Sequence, residues 1–212
     1  MSENQTVKVW DPLVRIFHWS LVTAFIVAFA THEDVGDVHI VAGYVVLGLL
    51  VFRIVWGFVG TRHARFSDFI YPPSTVLAYL KGLTTGNIKH YLGHNPAGGW
   101  MVLALLVSLS VVSFTGLKAY GVEGHGPLAG EVNLSILNTA QAHGDEHQVV
   151  DEHGNVKTVG EDDEGFWHEL HEAATDITLA LIFLHLLGVV VSSRLHGEKL
   201  VKAMITGNKE QS

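Results

Sequence analysis

The stretch His168–His196, HELHEAATDITLALIFLHLLGVVVSSRLH, decides how this chain folds. Within it, Ala173–Ser193 is a run of 21 residues whose only Asp, Glu, Lys or Arg is Asp176. A bilayer core needs roughly 20 mainly apolar residues per helix, so the run reads as a membrane span. His171 and His185 are 14 residues apart. At about 100° per residue that is four turns less about 40°, so both imidazoles face one direction, separated by roughly 21 Å of rise. His168 is a poorer mate, because its interval of 17 residues rotates it about 100° away from His185.

Three further runs match this one. Ile16–Thr31 (16 residues) and Gly98–Leu117 (20) hold no Asp, Glu, Lys or Arg, and Val38–Gly60 (23) holds only Arg53. The first reaches span length by borrowing Leu13 to Arg15. The expected fold is therefore all-α, an integral membrane four-helix bundle forming a single domain over 1–212. Its helices fall near 13–31, 38–60, 98–117 and 171–194, with an acidic, histidine-containing loop over 118–165. Composition agrees: 48% of the 212 residues are hydrophobic and 16% charged, against about 25% charged in a soluble domain.

Several classes are excluded. Without cysteine there is no disulfide, thiolate zinc site, iron–sulfur cluster or covalent CxxCH haem. A net charge of −8 speaks against nucleic acid, and no GxxxxGK[ST] or GxGxxG phosphate loop is present. A cleaved signal peptide is not expected, because eleven polar-leaning residues precede the first apolar run and no small-residue cleavage site follows it.

Charge sets the orientation. Eleven of the thirteen Lys and Arg residues flank one side: Lys8, Arg15, Arg53, Arg62, Arg65, Lys81, Lys89, Arg194, Lys199, Lys202 and Lys209. Only Lys118 and Lys157 lie on the other. The positive-inside rule places both termini and the Thr61–Ala97 loop in the cytoplasm. Fifteen carboxylates, from Glu33, Asp34 and Asp37 to the twelve between Glu123 and Glu172, mark the opposite, outer face. Ala142–Glu164, poor in large apolar residues, reads as mobile or ordered by a partner.

Most of the fourteen histidines read as solvated surface groups, including His63, His90, His94 and His196 in the loops or flanks of the cytoplasmic side. His18, His39 and His185 lie in or beside apolar runs, where an imidazole is costly without a partner; helix geometry adds His171. By depth they pair as His18 with His185 near the cytoplasmic face and His39 with His171 near the outer one. Two axial-imidazole pairs stacked across one bundle are what two b-type haems require, the irons held in the core by facing helices. Edge to edge, such macrocycles lie close enough to pass electrons across the membrane. Gly43 and Gly188, one turn beyond His39 and His185, supply room for a porphyrin, although small residues are common in any membrane helix interface. Two roles are open for Arg53, reaching a haem propionate or snorkelling to the interface. Asp176 either accepts a hydrogen bond from His171 or faces water.

Four segments carry a family resemblance: VWDPLVRIFHW (Val9–Trp19), HIVAGYVVLGLLVFRIVWGFVGTRHARF (His39–Phe66), GHNPAGGWMVLALL (Gly93–Leu106) and HELHEAATDITLALIFLHLLGVVVSSRLHGEKLVKAM (His168–Met204). Together they resemble the bacterial di-haem cytochrome b561 family, which includes the b-subunits of nickel–iron hydrogenases, over most of the chain except Lys118–Gly165. The resemblance implies four transmembrane helices, two b haems, and electron exchange between quinone and a redox partner. Carried over position by position, its axial ligands to the haem irons are His18, His39, His171 and His185. The long acidic outer loop departs from the shorter loops of that family.

The expected function is transfer of electrons between the membrane quinone pool and a periplasmic partner such as a c-type cytochrome, whose basic face fifteen carboxylates would steer. Alternatives are a hydrogenase b-subunit and a superoxide:quinone oxidoreductase; the negative outer face disfavours an anionic substrate. A metal carrier holding zinc or copper at His125, His143, His147 and His153 is a reading of another class. For the quinone, the candidates are Trp56, His63, Arg65 and the His94–Gly99 segment, or a surface near either haem; such polar residues equally suit capping of the third helix.

Overall fold

The computed structural model describes residues 6–32, 36–86, 91, 93–128, 148–150, 156–158 and 161–210. Four long helices dominate: α1 (Pro12–Ala30), α2 (Asp37–Val59), α5 (Pro96–Val122) and α6 (Glu161–His196). Each is long and apolar enough to span a membrane, and no more than 22% of any span is buried within the protein. Exposed Ile26, Val41, Val51, Val107, Phe183 and Leu187 therefore face lipid, which makes the chain an all-α, multi-pass membrane protein.

The helix starts follow from local chemistry. Pro12 opens α1 and Asp11 caps it, accepting the Val14 amide at 2.9 Å, which meets one of the orphan donors of a first turn. Pro96 opens α5, and the Asn95 side chain accepts the Gly98 amide at 2.7 Å. α5 continues to Val122, and α6 begins at Glu161, so both run beyond the apolar segments of the sequence. Between α2 and α5 the chain forms a 3-10 turn (Arg62–Ala64), α3 (Phe66–Phe69) and α4 (Pro73–Thr85); Gly86, at φ 74°, ends α4 in the left-handed region, where glycine carries no Cβ penalty.

The chain divides into two compact units. In the first, Met1–Ser110 with Thr178–Ser212, parts of all four long helices pack as a bundle. Phe17 and Ala24 of α1, Val46 and Leu50 of α2, and Leu106 and Leu109 of α5 form its core. Thr178 of α6, fully buried, meets Ser108 of α5 hydroxyl to hydroxyl at 2.5 Å. The termini close this unit: β1 (Thr6–Lys8) pairs antiparallel with β4 (Asn208–Glu210), Val7 opposite Lys209. The Val9 and Trp10 amides donate to the Gly207 carbonyl, which follows α7 (Leu200–Thr206). Val9, Trp10, Val14, Ala64 and Ala203 form a second core beneath that clasp. A buried ion pair of Lys209 with Glu198 at 2.9 Å locks it.

The second unit, Val111–Ile177, holds the remaining parts of α5 and α6 and a short hairpin of β2 (Gln148–Val150) with β3 (Val156–Thr158).

Candidate cofactor-binding site

His18 stands on α1 and His185 on α6, both half-buried in the first unit. Their rings are near enough that a proton on one would be felt by the other. The Nδ1 of His18 is sealed from solvent and has no hydrogen-bond partner, while Trp19 packs edge-on against its ring at 5.1 Å. A buried polar nitrogen left in this state is costly unless a ligand completes its environment. Beside His185, a Cβ placed on Gly188 would meet nothing within 4 Å, and the same holds for Gly43 on α2. A flat group lying on either helix would meet no side chain at those positions.

His39 and His171 are held differently, each within its own unit. His39 opens α2, and its Nδ1 lies 2.9 Å from the carbonyl of Ala28 in the last turn of α1. His171 places its Nδ1 3.0 Å from the Val112 carbonyl and 3.1 Å from the Thr115 hydroxyl. A carbonyl only accepts, so in both rings Nδ1 carries the proton and the lone pair sits on Nε2. That is the tautomer of a metal-ligating imidazole, whose second nitrogen donates to a carbonyl or carboxylate. Gly116 completes the seat: a Cβ there would lie 2.9 Å from Cε1 of His171. Thr115, itself 1% exposed, and Gly116 are missing from the sequence expectation, because neither glycine nor threonine in an apolar helix signals a contact with a ring 56 residues away. Asp176 is exposed; of its two expected roles, the structure has it facing outward. Nearby, His168 pairs with Glu123 at 3.0 Å and Lys118 lies over the Trp167 ring at 5.7 Å.

A third group of polar side chains gathers where α2 leads into α3. Arg53 is 3% exposed, which excludes the snorkelling role. His94 is likewise no surface histidine. Its ring is wedged between Trp10 (4.5 Å) and Phe69 (4.8 Å), and its Nδ1 is sealed without a partner. Burial pushes it down to about 3, the positive charge of Arg53 adding to the effect. Burial opposes ionisation of Asp11 too, yet hydrogen bonds from Thr61, the Val14 amide and Trp56 hold its carboxyl below the usual carboxylate range. Among the polar residues considered for a quinone, Trp56 donates to Asp11 (3.3 Å), His63 pairs with Asp68 (2.8 Å) and Arg65 donates to the Gly60 carbonyl (2.7 Å). Asn95 and Gly98 are committed to the cap of α5. His94 alone of that set keeps a sealed, unpartnered nitrogen.

Of the loop histidines considered for zinc or copper, His143, His147 and His153 lie outside the described residues, and His125 stacks on Tyr120 at 5.3 Å. Among the described residues no three His, Asp or Glu side chains converge on a common point.

Comparison with known proteins places these residues in context. Residues 9–207 match the family model described as prokaryotic cytochrome b561. A protein of Rhizobium leguminosarum bv. viciae, named as a probable Ni/Fe-hydrogenase B-type cytochrome subunit, is 23% identical over 98% of this chain and 90% of its own length. Proteins with the same name from Azotobacter vinelandii and Azotobacter chroococcum mcd 1 are 27% and 25% identical, each over 57% of this chain and 62% of their own. No solved structure matches.

Proposed function

The chain belongs to the prokaryotic cytochrome b561 family, and from that premise we propose that it is a di-haem relay between the quinone pool and a partner on the acidic face of the membrane. Membrane electron transport by b-type haem follows from the family; the number of haems, their ligands, the quinone and the partner are the proposal. His18 and His185 hold one haem iron, and His39 and His171 the other. The group supplies one-electron chemistry at a potential set by its axial ligands and surroundings. The protein's own part is to fix the rings. Val112, Thr115 and Ala28 orient the imidazoles of His171 and His39 through Nδ1.

The observation that carries this reading is the Nδ1 anchoring of His39 and His171, found at the residues that spacing selects as ligands. The uneven distribution of Lys and Arg supports an orientation with both termini in the cytoplasm of the inner membrane. In that orientation His18 and His185 lie on the cytoplasmic side and the fifteen carboxylates outside. A basic c-type cytochrome suits that outer face. The names of the three relatives favour a second partner, the hydrogenase itself. A reduced pyridine-haemochrome spectrum of the detergent-solubilised protein, with iron per chain, tests the relay: two haem b per polypeptide are expected. Alanine at His18 or His185 should remove one haem, and alanine at His39 or His171 the other. Unchanged stoichiometry in these variants overturns the ligand assignment. Reduction of the haems in membranes by hydrogen, or by reduced cytochrome c, separates the two partners.

A further inference from the structure

Arg53 is a charged residue inside a membrane-spanning helix, where such groups persist only with a partner or a function. It follows His39 by 14 residues, the interval that also separates His171 from His185. It therefore lies on nearly the same face of α2 as His39, roughly 21 Å further along the axis. Its guanidinium carbon sits 5.2 Å from the centre of the Phe66 ring and 5.8 Å from that of Phe69. Gly57, one turn on, permits this, because a Cβ there would collide with Phe66.

The cation is only partly satisfied. Its Nη1 is sealed from solvent and has no acceptor. Asp11 is the carboxylate whose charge acts on Arg53. Its oxygens, however, already accept from the Val14 amide (2.9 Å), the Thr61 hydroxyl (2.5 Å) and the Trp56 indole (3.3 Å). His94 lies within reach of the charge of Arg53 and close to His185, and its Nδ1 is the other sealed nitrogen of the cluster. Two faces of the guanidinium environment are aromatic and supply attraction but no oxygen. A sealed guanidinium N–H calls for an anionic oxygen, and a carboxylate is the geometry that this fork recognises best.

We propose that Arg53, with His94 beside it, receives a propionate carboxylate of the haem held by His18 and His185. This rests on the di-haem reading above and adds to it the residue that seats and tunes one of the two haems. A cation fixed in a low-dielectric interior stabilises the added electron of the reduced haem, so Arg53 raises the potential of that haem alone.

The test is a potentiometric titration of the purified holoprotein, wild type against Arg53→Met and Arg53→Lys, with haem stoichiometry measured in each. Arg53→Met should lower the midpoint of one b haem and leave the other where it was; Arg53→Lys, which keeps the charge, should recover most of that shift. Two retained haems with unmoved midpoints in Arg53→Met overturn the proposal, and an equal shift in Arg53→Lys reduces Arg53 to a packing role. Exchange of the wild-type haems for haem dimethyl ester, which lacks the carboxylates, covers the case in which Arg53→Met fails to fold. One site should then take the ester about tenfold or more less tightly than haem, the loss expected for hydrogen bonds to a charged group. Equal uptake at both sites overturns the proposal. A wild-type protein without haem b instead sinks the di-haem reading itself.

Discussion

The seat of His171 can be perturbed by a single methyl group. In Gly116→Ala the new Cβ would stand 2.9 Å from Cε1 and 3.2 Å from Nδ1 of the imidazole, inside van der Waals contact, and the ring is the part that must give. It cannot turn without loosening the bonds from Nδ1 to the Val112 carbonyl (3.0 Å) and the Thr115 hydroxyl (3.1 Å). A neutral hydrogen bond nets about 1 kcal/mol, and an extra methylene in a packed site costs about 1–3 kcal/mol. A loss of about 2 kcal/mol at the ligand corresponds to roughly 30-fold weaker retention of the haem bound there, within the range of about 10–100-fold seen when groups that orient a metal ligand are altered. The helix itself gains, since alanine is the better helix former by about 1 kcal/mol, so the defect should appear in haem binding and not in folding. The assay is transfer of haem to excess apomyoglobin, followed by absorbance. Two haems should leave wild type slowly, and one should leave Gly116→Ala roughly 30-fold faster. Gly165→Ala, whose Cβ would meet nothing within 4 Å, serves as the control. Wild-type release of both haems from Gly116→Ala would refute the idea that Gly116 and Thr115 seat a haem ligand.

Two further predictions concern the region of the termini. His94 is pushed down to about 3 in the fold and returns to about 6.5 when unfolded. The unfolded chain therefore binds the extra proton below about 6.5, and stability falls as pH drops from there towards 3, by up to about 1.4 kcal/mol per pH unit. In His94→Phe that slope should flatten, read as the change in melting temperature between pH 7 and pH 5; identical slopes would show that His94 is not sealed as described. Glu198→Gln removes one partner of an ion pair whose side chains are 10% and 9% exposed, a change that costs about 3 kcal/mol or more in a buried pair. It should lower the melting temperature and speed proteolysis at the C-terminal strand while leaving the haem spectrum unaltered, and an unshifted melt would show that the clasp adds nothing to stability.

The four spans were legible because a bilayer imposes a length and an apolar content that no other environment demands at once. Their ends were less so. α6 starts at Glu161, where an acidic stretch continues the helix without any apolar signal, and α5 reaches Val122 on similar terms. The pairing of β1 with β4 joins two three-residue strands from opposite ends of the chain, too short for any alternation to register. His94 shows the same limit at the site. Local sequence places it in a polar loop, and the approach of Trp10, 84 residues away, and of Phe69 seals it. His18, His39, His171 and His185 stood out because depth and helical interval are local properties. The groups proposed to tune them, Val112, Thr115 and Gly116 beside His171 and Ala28 beside His39, come from neighbouring elements and became visible only with the packing.

Those tuning groups differ between the two proposed haems in a way that orders their potentials. A ligand imidazole that donates Nδ1–H to a carbonyl becomes the more basic donor, which favours the oxidised iron. His39 and His171 are both held so, by Ala28 and Val112. The Nδ1 of His18 has no such partner, and the positive charge of Arg53 lies in the cluster beside His185, which favours the reduced state. Both effects act in one direction. The haem of His39 and His171 should titrate at the lower potential and that of His18 and His185 at the higher, so an electron entering from the acidic face runs downhill towards the side of the termini. Thr115→Val, which removes one of the two acceptors of the His171 Nδ1–H, should raise the lower midpoint and leave the upper one unmoved. If the wave lost in His171→Ala proved to be the upper one, hydrogen bonding and the buried arginine would not be what sets the order, and the direction of flow inferred from them would fall with it.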